Sequence, residues 1–195
     1  GSIYEAFRVL LKMSNRDVIS WTSLIMGCVE YGLVADALKC LERMQEDNVC
    51  PNSFTYVSCL KACGIIRATC KGQEIHSEME KKGLLSHRCT GMVGNTLIDM
   101  YVKCGSLEKA QDVFDRIPAR DVILWTALIG GYAQHGLYEK ALDCFDSMQQ
   151  DSISPNVVTF VCMLKACGSI GAADRGKEIH VEVMRAGLLK KNILV

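Results

Sequence analysis

Asp17-Val18-Ile19-Ser20-Trp21-Thr22 returns later in the chain as Asp121-Val122-Ile123-Leu124-Trp125-Thr126. The same shift carries Leu60-Lys61-Ala62-Cys63-Gly64 onto Leu164-Lys165-Ala166-Cys167-Gly168, and Gly72-Gln73-Glu74-Ile75-His76 onto Gly176-Lys177-Glu178-Ile179-His180. Roughly half of the positions between Asp17 and Leu85 recur identically, so the chain is an internal repeat. Inside each copy the period is helical. Leu24, Ile25, Cys28 and Val29, then Leu33, Ala37, Leu38, Leu41 and Met44, fall at the spacing of one buried helix face. Gly32, Gly64, Gly83, Gly105, Gly136, Gly168 and Gly187 are placed where helix ends need a left-handed residue. Pro51-Asn52 and Pro155-Asn156 mark breaks before new helices. The expected helices cover 3–13, 20–31, 34–47, 53–65, 70–82, 92–103, 106–117, 124–135, 138–150, 157–168 and 173–186. Helix pairs of this kind bury one face on the next pair, which predicts an all-α fold, an α-α superhelical solenoid with a groove.

Composition narrows the function. The 195 residues carry 22 Lys+Arg against 22 Asp+Glu, a formal net charge of zero. Bulk basic attraction to nucleic acid is excluded, so phosphate binding would need a local patch. Apolar residues make up 49%, too many for a disordered chain. Three prolines, two tryptophans and five phenylalanines do not suit a many-stranded β fold. Most of the eleven cysteines, among them Cys28, Cys40, Cys59, Cys63, Cys144, Cys162 and Cys167, lie in apolar stretches and read as reduced core filler. The stretch from Val122 to Tyr138 is interrupted by Gly130, Gly131, Gln134, His135 and Gly136, which argues against a membrane span. The chain opens at Gly1-Ser2 without Met and reads as a fragment, its two ends cut within repeats. Such ends would expose core surface and favour a homodimer.

The residues also carry a family resemblance over essentially the whole chain. Asp-Val-Ile-x-Trp-Thr, then Tyr31-Gly32-Leu33 or His135-Gly136-Leu137, then Glu139-Lys140-Ala141-Leu142 and Pro-Asn, resembles a pentatricopeptide repeat (PPR). Gly94-Asn95-Thr96-Leu97-Ile98-Asp99-Met100-Tyr101-Val102-Lys103-Cys104-Gly105 is similar to the short repeat of that family, and the Leu-Lys-Ala-Cys and Gly-x-Glu-Ile-His segments to its long repeat. Alternation of standard, long and short repeats (the PLS subclass) implies a plant organelle protein of the RNA-editing type, in the mitochondrion or the chloroplast. The array then divides into the end of a truncated short repeat (1–17), a standard repeat (18–52), a long one (53–90), a short one (91–121), a second standard one (122–156) and a second long one (157–195). Ser86-His87-Arg88-Cys89-Thr90-Gly91 blurs the end of the first long repeat.

The resemblance implies single-stranded RNA as partner, read at one base per repeat by two side chains. It pairs Thr22 with Asn52, Asn95 with Asp121 and Thr126 with Asn156. In the family's code Thr with Asn reads adenine and Asn with Asp reads uracil, giving 5'-A-n-U-A-n-3'. An Asn amide can donate to the unprotonated ring nitrogen of adenine, whereas an ionised Asp accepts from the ring N–H of uracil. Ile19, Phe54, Met92, Ile123 and Val158 match the position that sandwiches bases. Val57 and Val161 occupy the hydrogen-bonding position of the long repeats and offer neither donor nor acceptor. A blander reading stands beside this one. Thr22 and Thr126 would be hydroxyls of the first helical turn, Asn52 and Asn156 caps after proline, and Ile19 and Ile123 core. Trp21 and Trp125 are expected to pack between helices.

Other signals carry less. His76-Ser77-Glu78 and His180-Val181-Glu182 match the H-x-E of zinc deaminases but lack the downstream C-x-x-C. Cys59 and Cys63, one turn apart, suit packing better than metal binding. Lys61, Lys103 and Lys165 are candidates to approach phosphates, or simply solvated. No catalytic constellation is visible, and neither metal nor cofactor is expected. The expected role is target recognition for C-to-U editing, with catalysis and other editing proteins supplied elsewhere. RNA processing or stabilisation, and a protein–protein scaffold, are the alternatives.

Overall fold

The computed structural model describes residues 2–13, 16–85 and 90–188. Eleven α-helices and no strand occur among them. They are α1 (Ser2–Lys12), α2 (Val18–Glu30), α3 (Val34–Glu46), α4 (Ser53–Ile66), α5 (Thr69–Lys81), α6 (Thr90–Lys103), α7 (Leu107–Arg116), α8 (Val122–Gln134), α9 (Tyr138–Gln150), α10 (Val157–Ile170) and α11 (Ala173–Arg185). None of the described helices is long and apolar enough to cross a membrane. The chain divides into two compact units, Gly1–Lys109 and Ala110–Val195, with the divide inside α7.

In the first unit α2 packs against α3, and α4 packs on α2, α3, α5 and α6. The apolar face of α2 buries Trp21, Leu24, Ile25 and Cys28, and α3 answers with Val34, Ala37, Cys40, Leu41 and Met44. Helix α4 is buried nearly all round because it has neighbours on several sides. A polar clamp fixes α5 to it. The Tyr56 hydroxyl donates to Glu78 Oε1 at 2.7 Å, and Lys82 Nζ donates to the same hydroxyl at 2.7 Å. The second unit repeats the plan, with α8 on α9 and α10, and α10 on α9 and α11.

Two expectations about helix ends need correction. Helices α2 and α8 start at Val18 and Val122 rather than at 20 and 124, because Asp17 and Asp121 are their N-caps and accept from the backbone N–H of Ser20 and Leu124, each at 2.8 Å. Gly64 and Gly168 do not end helices. They lie inside α4 and α10, which run on to Arg67 and Gly171 in the left-handed conformation. Gly64 serves close approach instead: a Cβ there would stand 3.2 Å from Lys103 Cδ and 3.4 Å from Met100 Cα of α6. Gly64→Leu should therefore push α4 off α6 at a cost of about 1–3 kcal/mol, read as a lower urea midpoint. Gly32, Gly83, Gly105, Gly136 and Gly187 do take positive φ, as expected of helix ends. The doubtful boundary at Ser86–Cys89 and the end of the last repeat, from 189 on, lie outside the described residues.

Candidate nucleic-acid interface

Helices α2, α4, α8 and α10 start on the polar caps Asp17, Asn52, Asp121 and Asn156, and near the start of these helices and of α6 a large apolar side chain faces solvent. Ile19 on α2 is 70% exposed, Phe54 on α4 59%, Met92 on α6 46%, Ile123 on α8 57% and Val158 on α10 59%. Ile19 sits across the helix from buried Trp21, Leu24 and Ile25. Ile19 and Ile123 are thus not core. These exposed apolar side chains fall at one register of successive repeats.

In the first unit, Thr22 and Asn52 meet through a third residue. Asn52 caps α4. Its Oδ1 accepts from Thr55 N at 2.9 Å and from Thr55 Oγ1 at 3.0 Å, while Asn52 N donates back to Thr55 Oγ1 at 3.2 Å. The Thr22 hydroxyl then lies 2.7 Å from Thr55 Oγ1. Thr55 is fully buried, and Thr22 is only 7% exposed. The backbone N–H of Thr55 can only donate, so the amide oxygen must face the cap, leaving Nδ2 as the outward atom of Asn52.

The second unit repeats this arrangement at Thr126, Asn156 and Thr159. Asn156 Oδ1 accepts from Thr159 N at 2.9 Å and Thr159 Oγ1 at 3.1 Å, and the Thr126 and Thr159 hydroxyls are 2.7 Å apart. Here Thr126 and Asn156 touch directly, since Asn156 Nδ2 donates to Thr126 Oγ1 at 3.3 Å. Thr126 Oγ1 also donates to Val122 O, one turn back in α8, at 2.6 Å. The capping reading of the two asparagines is therefore correct, and it is compatible with the pairing: the oxygen caps, and the nitrogen points to its threonine partner or outward.

The remaining residues expected to face bases are individually placed. Asn95 lies on α6, and its Oδ1 is buried without a hydrogen-bond partner. Asp121 caps α8 and is exposed. Val57 is buried at 5% exposure on α4, which α6 covers, while Val161 on α10 is 59% exposed. Val57 accordingly offers little surface to a base. Thr55 and Thr159 escaped the sequence reading. The Asn-x-x-Thr spacing after proline was the available signal, for it is the capping-box pattern.

The side signals resolve structurally. Trp21 and Trp125 are buried between helices, with Trp125 edge-on to Phe114 at 4.6 Å between centroids. His76 Nδ1 is 2.8 Å from the Tyr101 hydroxyl, so the H-x-E of α5 takes part in packing against α6. Cys59 and Cys63 are buried; desolvation drives both thiols up, Cys63 to about 11. No His, Cys, Asp or Glu cluster fit for a metal occurs among the described residues. Lys103 pairs with Asp99 at 2.7 Å, while Lys61 and Lys165 are exposed.

Comparison with known proteins agrees with this geometry. The model of the PPR repeat family matches residues 16–64 and 120–169, and that of the PPR repeat matches 95–122. A chloroplastic pentatricopeptide repeat-containing protein of Arabidopsis thaliana is 34% identical over 100% of this chain and 31% of its own length. A mitochondrial one from the same plant is 34% identical over 99% of this chain and 28% of its own. The chain thus spans less than a third of the length of these relatives. The crystal structure of maize PPR10 in complex with an 18-nt psaJ RNA element superposes with a TM-score of 0.72 at 20% identity, over 97% of this chain and 32% of that one. The fold class is that of the α-α solenoid repeat proteins.

Proposed function

Because the chain belongs to the pentatricopeptide repeat family, we propose that it is a sequence-specific reader of single-stranded RNA, taking one base per repeat. The observation that carries this reading is the contact of Thr126 with Asn156 beside exposed Ile123 and Val158, repeated as Thr22, Thr55 and Asn52 beside Ile19 and Phe54. Donors and acceptors of fixed orientation next to apolar faces are what a splayed base requires: stacking for affinity, a polar edge for identity. The RNA in the PPR10 crystal supports the same partner class.

Residues 18–52, 91–121 and 122–156 supply the pairs Thr22 with Asn52, Asn95 with Asp121 and Thr126 with Asn156, and the preferred sequence is 5'-A-n-U-A-n-3'. The valines of 53–90 and 157–195 leave those bases unspecified. In this reading the protein works in an organelle, as the chloroplastic and mitochondrial relatives do, and addresses a transcript for C-to-U editing. Chemistry on the base is left to another domain or protein.

Fluorescence anisotropy on short labelled RNAs tests this. Adenine-to-guanine changes at the two specified positions should weaken binding, and the duplex should not bind. Ile19→Ala, Phe54→Ala, Ile123→Ala and Val158→Ala together should weaken every RNA alike, by about 1–3 kcal/mol for each base that loses its stacking, with the thermal midpoint unchanged because these side chains are exposed. Tight binding indifferent to base identity would instead favour a scaffold role, which the zero net charge allows.

A further inference from the structure

We propose that Lys61 and Lys165 bind phosphates of the RNA backbone, so that segments 53–90 and 157–195 hold the strand where they do not read a base. The inference rests on the RNA-reading proposal above and deepens it.

The exposed apolar residues near the starts of α2, α4, α6, α8 and α10 fix one face of each helix. Seven residues make nearly two full turns, about 10.5 Å of rise, so the residue seven places on lies on that same face. It is Met26 on α2, Lys61 on α4, Asp99 on α6, Gly130 on α8 and Lys165 on α10. A cation stands at this place only on α4 and α10, and both lysines are exposed. On α4 the face continues past Lys61 to Ile65, which is 54% exposed.

The charges of these five helices follow the same division. Their only basic residues are Lys61, Lys103 and Lys165. Lys103 Nζ is 2.7 Å from Asp99 Oδ2, so that pair on α6 is neutral. No ion pair or hydrogen bond among the described residues holds the ammonium of Lys61 or Lys165. Helix α2 carries Glu30 and the cap Asp17, and α8 the cap Asp121. Helices that offer Thr22, Asn95 or Thr126 to a base are thus neutral or acidic. Those that offer Val57 or Val161 instead carry an uncommitted cation. A chain of zero net charge has no bulk attraction for a polyanion, so the strand must be held by single placed charges. An ammonium on a flexible four-carbon stem serves phosphate as such a point charge.

The experiment uses Lys61→Gln with Lys165→Gln, and both sites are exposed, so the fold is spared. Binding of the A-n-U-A-n RNA and of its guanine versions is followed by anisotropy across a salt series. Each single-strand phosphate contact adds about 0.7 to the slope of log affinity against log salt, so the slope should flatten by about 1.4. Between about 50 and about 200 mM salt the parent should then lose about sevenfold more affinity than the variant. The adenine-to-guanine ratio should stay that of the parent. Lys39→Gln with Lys109→Gln removes the same charge from exposed sites on α3 and α7, and it should leave the slope as it is. RNA with neutral methylphosphonate linkages at the two n nucleotides should weaken the parent by the factor that the Lys61 and Lys165 variant loses, and weaken that variant no further. An unchanged slope, or equal flattening by the Lys39 and Lys109 changes, overturns the inference, while adenine preference in the parent keeps the base code. Additive losses from the variant and the methylphosphonates overturn it too, as does a shifted adenine-to-guanine ratio. If the parent fails to bind these RNAs at the lowest salt, the RNA-reading proposal and the inference fall together.

Discussion

Asn52→Asp combined with Asn156→Asp should turn the preferred base from adenine to guanine at two positions of the bound RNA. The substitution is mild for the fold. Aspartate already caps α2 and α8 in this chain, through Asp17 and Asp121, with bonds of 2.8 Å to the backbone N–H three residues on. One carboxylate oxygen can therefore take over the cap of α4 or α10, satisfying the same N–H. The other oxygen replaces an N–H donor by an acceptor. It faces the lone pair of adenine unfavourably and the ring N–H of guanine favourably. A polar edge contact of this kind discriminates by about 1–3 kcal/mol per base, so each position should shift by about tenfold or more. Two negative charges are added to a chain of zero net charge, and all RNA binding will weaken at low salt. The quantity to compare is thus the guanine-to-adenine ratio within each variant. A uniform loss with no change of ratio would remove Asn52 and Asn156 from base recognition.

The helix pairs were legible in the sequence because every rule that forms them is local. Repetition of Asp-Val-Ile-x-Trp-Thr announced the architecture, Pro-Asn announced α4 and α10, and the apolar period announced which faces are buried. The apolar residues assigned to base stacking, Ile19, Phe54, Met92, Ile123 and Val158, are exposed.

What was not legible depends on contacts between helices. Gly64 looks like a stop signal in one dimension, and only the nearness of α6 shows why α4 carries a glycine in its interior. Gly168, its counterpart in α10, has nothing within 4 Å of its would-be Cβ. Val57 and Val161 are equivalent in sequence yet differ in exposure, since α6 covers α4 and no further first helix follows α10 among the described residues. The bond between Thr22 and Thr55 spans 33 residues, and no local pattern encodes it. The cap of Asn52 was open to sequence reading, but its service to the preceding repeat was not.

Trp125→Ala should be the most destabilising single change in the second unit, at about 3–5 kcal/mol. The indole is 3% exposed, packed edge-on against Phe114 at an interplanar angle of 69°. Phe114 in turn carries the Arg120 guanidinium 4.7 Å from its ring centre. Truncation leaves a cavity in the first turn of α8, one residue before Thr126. Trp125→Phe should cost much less. It keeps an aromatic ring against Phe114, and it removes an indole N–H that is buried without a partner. Because repeat arrays are held by nearest-neighbour contacts, the damage should stay local. Hydrogen exchange should show lost protection in α8 and α10 of the alanine variant while α2 keeps its own. In RNA binding, the adenine read by Thr126 and Asn156 should lose its advantage over guanine, and the adenine read by Thr22 and Asn52 should retain it. Loss of both together would mean that the two reading pairs are not independent, and that base selection is a property of the whole array rather than of its single repeats.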